Sequence, residues 1–146
     1  MSVEADKKAL ARYRLEQAGE SLDEATFLLS GEKSPRSIIN RVYYAMFYAI
    51  LALLIYEPYS SSKHSGVLGY FNRRFIKAGV FDREMGRWVN KAFELRQRGD
   101  YREYFEVTRD QAADLVAKAG EFVSIVRSHL DAKWQKYRRP NSPWVP

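Results

Sequence analysis

The chain has 146 residues, with 24 lysines and arginines against 18 aspartates and glutamates and no cysteine. This length is enough for one domain with a real core, and the lack of cysteine excludes a disulfide framework and a thiolate metal site. The net charge of +6 suits an anionic partner such as nucleic acid or a nucleotide. The alternative is that the excess charge only solvates the outer faces of helices.

The first two predicted helices are marked by clear start and stop signals. The first runs from about Asp6 to Ser30, and Gly31 is placed to end it. Its apolar residues recur every three or four positions, as expected for one face of a helix: Leu15, Ala18, Leu22, Ala25 and Leu29. The second begins at Pro35, a residue suited to the first helical position. It ends before Pro58, which disfavours helical conformation in the residue before it.

Between Val42 and Tyr56 the second helix is so apolar that it must be weighed as a membrane span. A span needs about 20 predominantly apolar residues, and this run is shorter and is bounded by Arg41 and Glu57. We therefore expect a helix that is buried over most of its circumference in a soluble bundle. The N-terminus lacks the apolar segment of a signal peptide, so a cytoplasmic protein without a membrane partner is predicted.

Three more helices are predicted in the second half of the chain. The third spans roughly His64–Ala78, the fourth follows Asp82 as its N-cap and ends at Gly99, and the fifth begins at Thr108. Gln111, three residues after Thr108, completes a capping-box pattern. The apolar stripes of these helices are Val67, Leu68, Phe71 and Phe75, then Met85, Trp88, Val89, Ala92 and Leu95, then Ala112, Leu115, Ala119, Phe122, Val123 and Val126.

Short connections make sequential helices pack as antiparallel neighbours. The predicted fold is therefore all-α, an up-and-down helical bundle of four long helices plus one short helix, over residues 1–131. Residues 132–146 are basic, contain three prolines and show no periodicity. We expect them to form a basic C-terminal tail that is extended, docked on a partner or disordered.

A narrow polar strip interrupts the apolar surface of the second helix. Asn40, Tyr44 and Tyr48 are four residues apart, and Arg41 precedes Tyr48 by seven, so all four lie along one side. One interpretation packs the tyrosines against a neighbouring helix and pairs Arg41 with an acid. The other makes the strip a binding site, where Arg41 holds a phosphate and Tyr44 or Tyr48 stacks on a base, with Tyr44 the first choice. The residue types alone do not separate the two.

Four residues outside the strip are further candidates for chemistry. His64 has an ordinary pKa near working pH, so it could act as a general base or donate to a phosphate; the alternative is a partly buried histidine at a helix start. Arg96 follows Ala92 by one turn and should face the edge of the core. Asp100 and Tyr101 are predicted in the next loop, where Asp100 could bond Arg96. This segment is either a salt bridge at a helix end or an anion site.

Metal and cofactor chemistry is not predicted. The only histidines are His64 and His129, without the H-x-x-x-H spacing of a zinc site, and no glycine-rich phosphate loop is present. We assign His129 a structural role at the end of the fifth helix, where a cation would interact favourably with the helix dipole.

Three segments together resemble the HEPN domain, and more narrowly the small stand-alone prokaryotic HEPN proteins. They are "SPRSIINRVYYAMFYAILALL", "SKHSGVLGYFNRRFIKAG" and "LRQRGDY", and the resemblance extends from about Ala9 to Leu130. It implies a bundle of four to five helices that is commonly a homodimer and is often encoded beside a minimal nucleotidyltransferase as a toxin–antitoxin module. Many members of the family that this chain resembles are metal-independent ribonucleases with an R-x(4–6)-H motif at the dimer interface.

This chain departs from that motif, because no arginine precedes either histidine at the required spacing. Where the motif is expected, the chain reads Arg96-Gln-Arg-Gly-Asp100-Tyr101, with the arginine but without the histidine. We therefore expect a module that binds nucleotide or RNA phosphates, as a homodimer paired with a nucleotidyltransferase. Two alternatives stay open: a ribonuclease toxin that uses His64, or Asp100 and Tyr101, in place of the usual histidine, and a purely structural dimerisation protein.

Overall fold

A computed structural model describes residues 2–101 and 107–138, with side chains for all of these except 100, 101, 137 and 138. Within these ranges the chain forms five α-helices and no strand. The helices are α1 (Val3–Ser30), α2 (Pro35–Leu54), α3 (His64–Phe71), α4 (Arg83–Tyr101) and α5 (Arg109–Arg138), and a π-helical segment (Asn72–Lys77) follows α3 directly. The predicted all-α helical bundle is confirmed.

The starts of α1 and α5 are secured by side chains close in sequence. The Ser2 hydroxyl accepts a hydrogen bond from the Ala5 backbone N–H at 3.0 Å, which caps α1. At the start of α5 the capping box is present: the Thr108 N–H donates to Gln111 Oε1 at 2.9 Å, and the Gln111 N–H donates to Thr108 Oγ1 at 3.1 Å. These bonds satisfy amide groups that have no partner within the helix itself.

Helix α2 forms the centre of the bundle. It packs against α1, α3, α4 and α5, and most of its apolar side chains are fully buried. Among the described helices it alone is long and apolar enough to cross a membrane, yet 67% of its apolar window is buried inside the bundle. Each buried aliphatic side chain stabilises the fold by about 1.5–3 kcal/mol, so the apolar character of α2 is explained by its place in the core.

The predicted end of α4 at Gly99 is wrong, because the helix continues to Tyr101. Gly99 is buried, and a Cβ atom at this position would lie 3.4 Å from Cγ of Arg36. The glycine therefore marks a close approach of the α2 arginine and not a helix stop. As a consequence, Asp100 and Tyr101 belong to the last turn of α4 instead of the loop in which they were expected.

The third predicted helix is divided into α3 and the π-helical segment. Phe71 and Phe75 are both buried, and their ring centres are 5.8 Å apart. Phe81, beyond the segment, stacks on Phe75 at 5.7 Å. The wider π-helical turn lets these rings form one cluster. Gly79 ends the segment as expected, with a φ of 82° that favours glycine.

Helix α5 extends past residue 131, where the tail was predicted to begin, to Arg138. Trp134 explains the extension: its ring is buried, and its Nε1–H donates to Tyr56 Oη at 2.8 Å. Lys8 and Arg12 of α1 lie over the same ring. The expectation of an irregular chain is therefore wrong for residues 132–138, and residues 139–146 lie outside the described part.

His129 consequently does not lie at a helix end, so the argument from the helix dipole is wrong. Its ring packs edge-on against Phe81, with centres 5.1 Å apart. Burial, and to a lesser extent the charge of Lys133, lowers the pKa of His129 below its ordinary value. The residue is thus structural, but as a neutral aromatic ring and not as a cation.

Candidate functional site

The polar strip of α2 is the part of that helix which its neighbours leave partly uncovered. The strip residues Asn40, Arg41, Tyr44 and Tyr48 are all partly exposed, whereas the α2 residues between them are buried. The strip lies between α1, which contacts Arg41, and α4, which contacts Tyr44. Its alignment and partial exposure are as predicted; its role in binding stays a prediction.

Arg41 is held at one end of the strip by weak polar contacts. Its Nε and Nη2 groups donate to Asn40 Oδ1 at 3.2 and 2.7 Å, and its Nη1 group donates to Glu24 Oε1 of α1 at 3.2 Å. The Glu24 side chain is 58% exposed. Exposed ion pairs contribute only about 0–1 kcal/mol, so a phosphate could replace the carboxylate at little cost.

Arg96 of α4 is held differently, by aromatic rings. Its guanidinium carbon lies 5.1 Å from the ring centres of both Tyr43 and Tyr44, and its Nη2 group donates to Tyr44 Oη at 3.2 Å. The Nε atom is buried without a hydrogen-bond partner. Arg96 forms no ion pair with any side chain that the structure describes. No described side chain therefore neutralises its positive charge.

The two arginines meet at Tyr44. The guanidinium carbon of Arg41 is 5.3 Å from the Tyr44 ring centre and that of Arg96 is 5.1 Å away, so the two cannot be further apart than the sum of these distances. A base that stacks on Tyr44 would compete with these cations for the ring. Tyr48, whose ring centre is 5.8 Å from that of Tyr44, has no cation over its ring among the described residues. Tyr48 is thus the better stacking surface.

His64, the first residue of α3, reaches the same cluster. Its ring stacks on Phe47 with centres 4.1 Å apart, and its Nδ1 atom lies 2.9 Å from Tyr43 Oη. The edge of its ring also faces Tyr44 at 5.9 Å. Burial, followed by the charge of Arg96, lowers the pKa of His64 below its ordinary value. The imidazole is therefore neutral near pH 7.

The bond between Tyr43 and His64 joins two neutral groups. Burial raises the pKa of Tyr43 far above its ordinary value, more than the nearby charge of Arg96 lowers it. The phenol therefore keeps its proton, and its oxygen either donates to Nδ1 of His64 or accepts from an Nδ1–H, according to the imidazole tautomer. If Tyr43 donates, the imidazole hydrogen lies on Nε2, and His64 then offers a ligand a neutral N–H donor.

These groups suit anion binding better than metal binding. Two guanidinium groups and one imidazole N–H are donors, whereas a metal site needs acceptors such as carboxylates or unprotonated nitrogen atoms. No cluster of three or more histidine, aspartate or glutamate side chains capable of holding a metal occurs in the described part of the chain. Charge-assisted hydrogen bonds from arginine are among the stronger contacts that a phosphate makes.

The structure brings together six of the eight residues singled out from the sequence: Asn40, Arg41, Tyr44, Tyr48, His64 and Arg96. The side chains of Asp100 and Tyr101 lie outside the described part, so the role of Asp100 in orienting Arg96 stays a prediction. The catalytic roles considered for His64, Arg96, Asp100 and Tyr101 are likewise untested.

Sequence reasoning missed Tyr43 and Phe47, which lie outside the polar strip on the part of α2 that was expected to be buried. Both are buried, as expected, but they also position His64. One signal was present, because the hydroxyl of a buried tyrosine needs a hydrogen-bond partner. Glu24 was also missed, since exposed acids on α1 are common and nothing in the sequence marks this one.

Comparison with known proteins agrees with this architecture. The profile of the HEPN domain matches residues 11–129. A "UPF0332 protein" of Thermotoga maritima is 40% identical over 86% of this chain and 95% of its own length. "Putative toxin MJ0142" and "Putative toxin MJ0605" of Methanocaldococcus jannaschii are 34% and 31% identical, over 82% and 80% of this chain and 80% and 85% of their own lengths. The chain therefore belongs to the HEPN domain family.

Proposed function

We propose that this protein is a toxin-like HEPN module of the cytoplasm that binds the phosphates of RNA or of a nucleotide along the α2 strip. Arg41 and Arg96 hold the phosphate, His64 donates a hydrogen bond from Nε2, and Tyr48 stacks on a base. The toxin-like role is supported by the names of the two Methanocaldococcus jannaschii relatives.

One observation carries the proposal: two guanidinium groups from different helices lie against the same tyrosine. Like charges brought close together repel each other and destabilise the fold unless an anion neutralises them. Arg96 gains no such neutralisation from the described side chains. A bound phosphate would supply the missing charge and accept hydrogen bonds from both arginines.

Binding is favoured over cleavage by the state of His64. A general base needs an unprotonated nitrogen directed at the ligand, whereas in the tautomer proposed here Tyr43 donates to Nδ1 and the free nitrogen of His64 carries the hydrogen. A general acid needs an imidazolium, and the pKa of His64 is lowered by burial and by Arg96. Neither catalytic state is the resting state of this residue.

The proposal includes assembly as a homodimer and pairing with a minimal nucleotidyltransferase, in line with the features of the family. Homodimerisation is supported by exposed apolar side chains on one side of α1: Leu10, Tyr13 and Phe27 are 43%, 51% and 74% exposed. Phe27 also borders a groove of about 400 Å³ that includes Arg41. A dimer formed there would lie beside the strip, and its thermal stability would rise with protein concentration.

The direct test is the binding of a fluorescein-labelled single-stranded RNA in EDTA, measured by anisotropy at several salt concentrations. Replacing Arg96 with methionine should weaken binding at least about ten-fold and reduce the slope of log K against log salt by about 0.7, as expected for one lost phosphate contact. Arg41→Gln should have a similar but smaller effect, since Arg41 is already paired with Glu24.

Arg127→Gln is the matched control, because it removes the same charge from an exposed position on α5 whose side chain lies near Gly19 of α1. Its RNA affinity should stay within two-fold of the wild type. Equal binding by the wild type and Arg96→Met would overturn the proposal, as would an affinity loss of the same size in Arg127→Gln.

A metal-independent ribonuclease is the second candidate, and one observation favours it. His64 and Arg96 belong to different helices, yet their side chains are close enough for Arg96 to lower the pKa of His64. The fold thus brings near each other the two residue types that the missing R-x(4–6)-H motif would have supplied. RNA cleavage in EDTA that is abolished by both His64→Ala and Arg96→Met would select this candidate over the binding module.

A further inference from the structure

A second groove lies between α4 and α5, apart from the α2 strip. It has a volume of about 360 Å³, within the range of small-molecule sites. Its apolar floor includes the half-buried Trp88 with Leu95 and Leu115. Three basic side chains line it, Arg87 and Lys91 of α4 and Lys118 of α5, together with two acidic ones, Glu84 and Asp114.

Helix α4 separates this groove from the α2 strip. The α4 residues that line the groove face α5, whereas Arg96 faces the tyrosines of α2. Lys91 and Arg96 are five residues apart, so they differ by about 7.5 Å along the helix axis and point to different sides of the helix. None of the residues lining the groove forms a described hydrogen bond or ring contact with His64 or Tyr44, so we treat the groove as a site of its own.

The charged side chains that line the groove, three basic against two acidic, leave one net positive charge that a ligand could use. Lys91 is exposed and forms no ion pair with any described side chain. Arg87 pairs with Glu84, and Lys118 pairs with Asp114 at 2.7 Å, but both are exposed pairs within one helix. Such pairs contribute a few tenths of a kcal/mol, so both cations can turn to an incoming anion.

We propose that this groove binds one nucleotide unit of a single-stranded RNA, with the base on the indole of Trp88 and the flanking phosphates on Lys91 and Lys118. An aromatic ring beside cations is the combination that single-stranded nucleic acid recognises, and base stacking on it tolerates any sequence. The identity of the ligand as RNA rests on the function proposed above. The groove would therefore hold the same RNA at a second point, on the far side of α4.

The test measures the binding of a short labelled single-stranded RNA to the full chain, together with tryptophan fluorescence. Trp88→Leu keeps an apolar side chain on the floor of the groove but removes the ring. It should weaken binding about ten-fold without changing the salt dependence, and it should abolish the quenching of tryptophan fluorescence that RNA causes in the wild type. Lys91→Gln should weaken binding less but make the salt dependence shallower by about 0.7.

Lys136→Gln is the matched control, since Lys136 is exposed on the same helix as Lys118 but near its other end. It should bind RNA as the wild type does. The proposal would be overturned if Trp88→Leu and Lys91→Gln both bound RNA within two-fold of the wild-type affinity and RNA still quenched the tryptophan fluorescence of Trp88→Leu. A groove that binds an acidic peptide through Trp88 and does not respond to RNA would also overturn it.

The two proposals fail separately in this design. If Arg96→Met loses affinity while Trp88→Leu does not, the α2 strip binds RNA and the groove does not. If only Trp88→Leu loses affinity, the groove is a nucleic acid site and the function proposed for the α2 strip is wrong. Thermal unfolding of each variant distinguishes a lost contact from a lost fold, and Lys91→Gln, at an exposed position, provides a variant that should fold normally.

Discussion

Replacing Arg96 with methionine should weaken RNA binding while leaving the free energy of unfolding nearly unchanged. Arg96 is partly buried, lies over two tyrosine rings and forms no ion pair with a described residue. Methionine is flexible and has a similar length, so it can fill the same space between the rings without charge. The substitution therefore removes the guanidinium group with little change in packing.

The energetic effect follows from the contacts of the guanidinium group. Two cation–π contacts stabilise the fold by about 1 kcal/mol each, and a hydrogen bond from a charged group to Tyr44 Oη adds about 1.5 kcal/mol. Against this, a buried Nε–H without an acceptor costs about 1–3 kcal/mol, and partial removal of the cation from water costs more. The two sides nearly cancel, so the free energy of unfolding should change by less than about 1 kcal/mol.

Urea unfolding followed by far-UV circular dichroism measures this free energy, and RNA anisotropy measures binding on the same samples. The expected result is an unfolding midpoint close to that of the wild type together with at least a ten-fold loss of RNA affinity. A destabilisation of more than about 3 kcal/mol would refute the reasoning, because Arg96 would then serve the fold. Unchanged RNA affinity would refute the assigned role.

Three further predictions concern the histidines and the glycines. The folded protein should lose stability as the pH falls below about 6.5: the pKa values of His64 and His129 are lowered in the folded state, so the unfolded chain takes up protons first. Urea unfolding at about pH 7.5 and pH 5.5 checks this, and a free energy of unfolding that rises toward acid would contradict it. Tyr43→Phe should raise the pKa of His64, measured by NMR titration, because neutral imidazole loses its phenol donor; a fall would mean that the imidazole is the donor. Gly99→Ala should stabilise the protein by about 0.5 kcal/mol, since residue 99 is helical and its new Cβ would meet only the flexible Arg36 side chain. Gly79→Ala should destabilise the protein by about 1 kcal/mol because the φ of Gly79 is positive. Thermal melts check both glycine substitutions, and melting temperatures that shift in the same direction would contradict the two predictions.

The candidate site was only partly predictable from the sequence. The α2 strip could be found because residues four positions apart on one helix share a side, whatever the rest of the chain does. The bond between Tyr43 and His64 and the contact of Arg96 with Tyr44 could not, because each joins side chains from different helices. Their proximity depends on how α3 and α4 pack on α2, which no local pattern specifies.

The sequence by itself determined the number of helices, most of their ends and which face of each is buried, because caps and apolar spacing act within a few residues. Only the tertiary structure decided that α4 passes through Gly99 and that α5 continues to Arg138, since the reasons are contacts with Arg36 of α2 and with Tyr56, just after α2. Only the tertiary structure likewise brought Arg96 and His64 to Tyr44. Local signals predict where a helix can begin or end, but packing against distant residues decides whether it does and what its side chains meet.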